Sequence, residues 1–104
     1  MNHPVTEVAV FTVKEELLHS FLAQQQTVHT VVSGFKGFRS LRSLRSLESP
    51  NTFVDYCEWD SHEDAAAANA IASTLPEMRI FFELGDGMIT FGHYTTSVFT
   101  ERGL

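Results

Sequence analysis

The chain has 104 residues, with 13 Asp plus Glu against 7 Lys plus Arg and a net charge of −6. That length sets one domain, residues 1–104, as the expectation, and an acidic balance that repels phosphate backbones argues against a nucleic-acid partner. Hydrophobic residues make up 43% of the chain and nine residues are Phe, enough for a packed core. The lone Cys57 cannot close an internal disulfide, Met1-Asn2-His3-Pro4 lacks the basic start of a signal peptide, and no apolar run reaches membrane-spanning length. A cytoplasmic protein without a membrane partner is expected.

Residues 5–13 (VTEVAVFTV) are rich in β-branched side chains and predict a first strand. Both of its faces are apolar or Thr, apart from Glu7. Lys14-Glu15-Glu16 opens a helix, with acidic residues suited to the dipole at its start. Leu17, Leu18, Phe21, Leu22, Val28, Val31 and Val32 recur at helical spacing until Gly34, the expected C-terminal cap. Residues 37–48 contain Arg-Ser-Leu three times, a period that suits neither strand nor helix. The turn Ser49-Pro50-Asn51-Thr52 and the strand-like residues 52–60 (TFVDYCEWD) decide for a hairpin, with a bulge absorbing the off-period step. Ser61 to Asp64 reads as a capping box before the Ala-rich helix 65–72. Pro76 interrupts that helix and residues 77–84 continue as a second piece. Gly85-Asp86-Gly87 is expected to turn the chain, residues 88–99 to form the last strand, and residues 100–104 to be a loose tail.

The order is β-α-β-β-α-β, which predicts a ferredoxin-like α+β fold: a four-stranded antiparallel sheet with both helices on one face. Simple alternation along the last strand puts Met88, Tyr94 and Val98 on one side and Ile89, Phe91 and Phe99 on the other. A bare sheet face that apolar needs a cover, and a homodimer formed through the sheet face, around Tyr56, Phe91 or Met88, is the simplest one.

Several stretches together resemble the antibiotic biosynthesis monooxygenase-type domains of the dimeric α+β barrel superfamily. They are Gly34-Phe35-Lys36-Gly37-Phe38, the hairpin Ser49-Pro50-Asn51-Thr52, Asp55-Tyr56-Cys57-Glu58-Trp59-Asp60-Ser61, the start Glu63-Asp64-Ala65 and the helix containing Pro76. The resemblance spans residues 5–98. Some members oxidise aromatic polyketide phenols to quinones with oxygen and no flavin, haem or metal, and they are similar to this chain at Trp59 and Arg79. The chain departs from them in having Asp55 where they commonly have Asn, and Ala65 where they have Tyr. Haem-degrading relatives use a His on the second helix; here the only His there is His62, at the cap, so no haem is expected. What the resemblance implies is a monooxygenase that needs no cofactor and acts on a small electron-rich aromatic or quinol-type molecule. The alternatives are a non-catalytic small-molecule-binding dimer and an isomerase-like enzyme on a small metabolite.

Strand alternation puts Phe53, Asp55, Cys57 and Trp59 on one face, toward the helices. A carboxylate in an apolar row must be paired or solvated. Asp55 is therefore either a base for a ligand or bonded to a nearby Ser, Thr or Arg. Trp59 is either a wall that stacks on a planar ligand or core filling. Arg79 would stabilise an anionic intermediate if it faces inward and is a solvated helix residue if it faces outward. His93 is either a proton shuttle or a hydrogen-bonded sheet residue. These four are the candidate catalytic residues. Phe53, Cys57, Phe81 and Phe82 are the candidate substrate-binding wall, with Cys57 a small buried hydrophobe. His3, His19, His29 and His62 share no metal-ligand spacing. Arg39, Arg42 and Arg45 read either as an anion site or as a solvated edge.

Overall fold

A computed structural model describes residues 3–103; Met1, Asn2 and the end of the expected tail at Leu104 lie outside them. The elements are β1 (Val5–Val13), a 3₁₀ turn (Glu15–Leu17), α1 (Leu18–Ser33), β2 (Phe38–Arg45), β3 (Thr52–Trp59), α2 (His62–Ala72), α3 (Pro76–Leu84) and β4 (Gly85–Tyr94). The strands form one antiparallel sheet in the order β2-β3-β1-β4. This is the ferredoxin-like α+β arrangement read from the sequence. Leu75 is extended and Pro76 follows it, so the second helical layer is split into α2 and α3.

Local chemistry accounts for the element ends. Ser61 Oγ accepts a hydrogen bond from the Asp64 backbone N–H at 3.1 Å, capping α2. Gly34 ends α1 in a right-handed conformation. Gly37 is the residue that needs to be glycine: its φ is +82°, and a Cβ there would run into the Asp64 side chain. The bulge expected in the Arg-Ser-Leu segment falls between Phe38 and Ser40. It disperses the three arginines. Arg39 pairs with Asp60 at 2.6 Å, Arg42 lies opposite Tyr56, and Arg45 sits 5.5 Å above the Phe53 ring.

The last strand differs from expectation in its limits. It begins at Gly85, because Gly85 and Gly87 pair with Val13 and Thr12 instead of turning the chain. It ends at Tyr94, which pairs with Thr6, where β1 runs out of partners. Residues 95–103 form no helix or strand.

Its facing differs too. Thr90 pairs with Val10 but Met88 pairs with Phe11, so Ile89 is the extra residue of a bulge. Met88 and Phe91 therefore share the helix side, and the expectation that they lie on the bare sheet face with Tyr56 is wrong. A bulge reverses the alternation that the sequence pattern assumes. The bare face carries Val8, Val10, Val54, Tyr56 and Tyr94.

The core lies between sheet and helices. Phe21 of α1 is fully buried, with ring centroids 4.7 Å from Phe53 and 5.0 Å from Phe81. Such aromatic pairs contribute about 0.5–1.5 kcal/mol each beyond the area they bury. Among the described residues no helix is long and apolar enough to cross a membrane.

Candidate functional site

A cavity of about 430 Å³ opens between the helix side of the sheet and the helices. Its aromatic walls are Phe11, Phe35, Trp59, Phe81, Phe82 and Phe91. Among the described residues the polar side chains that interrupt them are Glu7 from β1, Asp55 from β3 and Asn69 from α2, and no Lys, Arg or His is part of the lining. Apolar walls with a few placed polar groups are the general make-up of a small-molecule site.

Two hydrogen-bonded chains hold the carboxylates. Glu7 Oε1 accepts from Asn69 Nδ2 at 2.8 Å and is 2.9 Å from His93 Nε2. The His93 ring in turn lies against the exposed His62 ring, with centroids 4.8 Å apart. Asp55 Oδ1 accepts from Ser43 Oγ at 2.8 Å, and Ser43 Oγ is 2.8 Å from His29 Nε2 on α1. Strand register makes the second chain possible, since Ser43 of β2 lies directly opposite Asp55.

Burial pushes the Asp55 carboxyl above its ordinary value of 3.8. The Ser43 hydroxyl and the His29 imidazole pull it back in part, and the charge of Glu7 adds to the rise. Burial likewise pushes the Cys57 thiol up to about 12, with Glu7, Asp55 and Glu58 adding to the rise. Such a thiol is a small hydrophobe, not a nucleophile.

Trp59 is 2% exposed, and its Nε1–H has no hydrogen-bond partner among the described residues. A buried donor left unpaired costs about 1–3 kcal/mol. An acceptor on a ligand in the cavity that Trp59 lines would relieve it.

The candidate residues from the sequence fall into two groups. Asp55, Cys57, Trp59, Phe81 and Phe82 line the cavity. Phe53, Arg79 and His93 do not. Phe53 is core, packed on Phe11 and Phe21 beneath Arg45. Arg79 is exposed, because Met78 and Phe81 take the buried face of α3. His93 stands behind Glu7 and reaches the cavity through it.

Sequence reasoning passed over Glu7, Asn69, Ser43 and His29. Glu7 carried the signal used for Asp55, a carboxylate in an apolar row, here Val5, Ala9, Phe11 and Val13. Ser43 and His29 carried none, since their role depends on strand register and helix placement. Among the described residues no three His, Cys, Asp or Glu side chains are grouped to hold a metal ion.

A four-stranded sheet with helices over one side and a polar-studded aromatic cavity between them describes a known class of domain. The sequence profile of the antibiotic biosynthesis monooxygenase family matches residues 4–73, more than half the chain, and the chain belongs to that family. The match supports a monooxygenase-type function. No curated protein matches the sequence.

Among solved structures, a point variant of SnoaB, a cofactor-independent oxygenase from Streptomyces nogalater, superimposes with a TM-score of 0.80 at 22% identity, covering 95% of this chain and 98% of that one. A second SnoaB structure gives 0.71 at 24% identity, covering 98% and 96%. MupZ from Pseudomonas fluorescens gives 0.77 at 12% identity, covering 93% of this chain and 71% of that one. At these identities the likeness shows the fold.

Proposed function

We propose that this protein is a cofactor-independent monooxygenase that oxidises a small, electron-rich, quinol-type aromatic in the cavity between helices and sheet. The observation that carries the reading is Asp55: a carboxyl raised by burial, held on one oxygen by Ser43, inside an aromatic cavity with no basic side chain among the described residues of its lining.

Oxygen reacts slowly with a closed-shell phenol because spins must re-pair. A deprotonated, electron-rich phenolate can pass an electron to oxygen itself. The protein then has to remove a proton, steady the anion and keep water out. Asp55 takes the proton and is neutral as the phenolate forms. General-base catalysis of this kind contributes about 10²–10⁴-fold.

Arg79 is exposed and does not line the cavity, so it drops out as the anion's partner. The Trp59 N–H is the group available to replace it. The phenolate carbon and oxygen form a peroxide, which loses water to leave a carbonyl. In sum, a ring CH₂, or its phenol tautomer, and O₂ give C=O and H₂O. No flavin, haem or metal is called for.

We also propose that the working form is a homodimer, the usual state in the family, joined through the bare sheet face and resident in the cytoplasm. The test of function is oxygen uptake by metal-free, flavin-free protein with a panel of hydroquinones and anthrone-type phenols. One O₂ per substrate oxidised, lost in Asp55→Asn, is expected. Uptake that survives Asp55→Asn unchanged would remove Asp55 as the base. The outward Arg79 favours a second reading, a non-catalytic small-molecule-binding dimer. Saturable binding with no uptake across the panel would establish it.

A further inference from the structure

We propose that Ser43 and His29 form a proton relay that carries the proton taken by Asp55 out of the cavity and toward solvent. The inference rests on the oxygenase reading for its chemistry, and on two hydrogen bonds for its geometry.

Asp55 lines the cavity, and its Oδ1 accepts from Ser43 Oγ at 2.8 Å. Ser43 has a single hydroxyl proton and gives it to the carboxylate, so its lone pairs are left for His29, whose Nε2 lies 2.8 Å away. The imidazole is half-buried and reaches the outside from α1. Three residues from three elements thus link a cavity carboxylate to the surface without a gap. Among the described residues Asp55 Oδ2 takes no side-chain hydrogen bond, which leaves it free to meet a substrate hydroxyl. Glu7, the other cavity carboxylate, is tied instead to Asn69 and His93 and, among the described residues, makes no hydrogen bond to this chain.

The chain can run in both directions. With Asp55 ionised, His29 Nε2–H donates to Ser43, and Ser43 donates to the carboxylate. Once Oδ2 has taken the substrate proton, rotation of the carboxyl group about Cβ–Cγ presents that proton to Ser43. Once His29 has exchanged protons with water to the tautomer that carries its proton on Nδ1, Ser43 passes its own proton to the bare Nε2. No bond is made or broken other than O–H and N–H, and each group ends with the proton count it needs. His29 becomes the imidazolium and keeps the proton until the product-forming step returns it to the leaving oxygen.

The relay answers a specific difficulty. Reaction of the phenolate with oxygen is slow, and a proton held on Asp55 beside the anion would go back before oxygen arrives. Moving it two hydrogen bonds away keeps the substrate ionised, and the positive charge gained by His29, which acts on Asp55, offsets the charge that returns to the carboxylate. Imidazole is the side chain suited to hold a proton reversibly in this range. The other titratable and charged groups near the chain are Glu7 from β1 and Cys57 from β3, with Arg45 two residues along β2. Arg45 is engaged elsewhere, by the Pro50 carbonyl and the Phe53 ring.

The test has one arm that needs no substrate. In protein labelled with ¹³C at Asp carboxyls and ¹⁵N at His rings, the Asp55 and His29 signals are followed against pH by NMR. Each should show an inflection at the pH where the other titrates. Ser43→Ala should separate the two curves, and Ser43→Thr, which keeps the hydroxyl, should restore them. In the activity arm, with a phenol that the wild type oxidises, Ser43→Ala and His29→Gln should each lower kcat by about 10²-fold with KM unchanged, and Ser43→Thr should recover most of the loss. Asp55 and His29 curves that are independent in the wild type would overturn the relay, whatever the enzyme oxidises. So would an unchanged kcat in both Ser43→Ala and His29→Gln. If the oxygenase reading fails for want of a substrate, the titration still decides by itself whether carboxyl and imidazole are coupled through Ser43.

Discussion

Glu7 and Asp55 enter the same cavity from adjacent strands, two registers apart: Glu7 pairs with Cys57, and Asp55 pairs with Ala9. Their surroundings set them apart. Among the described residues Glu7 has two side-chain partners on one oxygen, Asn69 and His93, whereas Asp55 has one, Ser43. Burial has raised the proton affinity of Asp55, which makes it the candidate for acid–base work.

The raised Asp55 has a consequence for stability. Its folded-state pKa lies above the ordinary value of 3.8, so the folded protein binds this proton more tightly than the unfolded chain does. Below that ordinary value the carboxyl is protonated in both states and costs nothing. As pH rises through 3.8 and on through the folded value, stability falls, and the deficit persists at neutral pH. His29 and Glu7 are the titratable groups acting on it. Asp55→Asn should therefore melt higher than the wild type at pH 7, and the two should converge below about pH 4. Thermal unfolding followed by circular dichroism at both pH values measures this. A variant less stable than the wild type at pH 7 and equal to it at low pH would show that the ionised carboxyl is favourable instead.

Cys57 provides a simpler check on the cavity. It is 3% exposed and its thiol is pushed up to about 12. At pH 8 the thiolate is almost absent, and reagent access is blocked by packing. Iodoacetamide should leave the native protein unmodified for hours and alkylate it stoichiometrically in denaturant, as read by mass spectrometry. Rapid labelling of native protein would mean that the region around β3 opens far more readily than its burial implies.

The fold was largely legible in the sequence, because periodicity and punctuation acted locally. Ser61 announced α2, Pro76 split the second helical layer, and the alternation of Phe53, Asp55, Cys57 and Trp59 gave the inward face of β3. The failures lie where one residue changes a count. Ile89 is an extra residue in β4, and it brings Met88 onto the same side as Phe91, in the cavity. The glycines at 85 and 87 signalled a turn, but they pair with β1 as an edge strand. Half of the site was also out of reach. That Ser43 falls opposite Asp55 depends on where the β2 bulge is placed, and that His29 reaches Ser43 depends on how α1 lies across the sheet. Neither is encoded in a spacing.

The bare sheet face leads to a prediction about assembly. Tyr56 is 39% exposed in a single chain, and Val8, Val10 and Val54 share its face. Sedimentation at micromolar concentration should give a dimer. Tyr56→Glu combined with Val54→Lys should give a folded monomer, since both changes lie on the side of the sheet away from the core. A wild-type monomer would leave this apolar face wet and overturn the proposal. Met88 and Phe91 now belong to the cavity, so they should not affect the association.

The unpartnered indole of Trp59 leads to a prediction in which stability and binding part company. Trp59→Phe removes the Nε1–H and keeps an aromatic ring against Phe38, whose centroid lies 6.0 Å away. Losing an unpaired buried donor returns about 1–3 kcal/mol, and the smaller ring leaves a void that costs a similar amount. The net change in unfolding free energy should stay within about 1 kcal/mol, small for truncation of a side chain 2% exposed. Ligand affinity should fall at the same time. If the N–H donates to the oxygen of a bound phenol, its loss removes one hydrogen bond, and affinity drops by about 10-fold. Binding is measured anaerobically by calorimetry with a phenol from the oxygen-uptake panel, so that turnover does not intrude. A phenol methyl ether, whose oxygen is a poorer acceptor and cannot ionise, should bind the wild type and Trp59→Phe with nearly equal affinity. Should Trp59→Phe instead lose several kcal/mol of stability and bind the phenol as tightly as the wild type does, Trp59 is core filling, and the donor for the anion must be sought elsewhere.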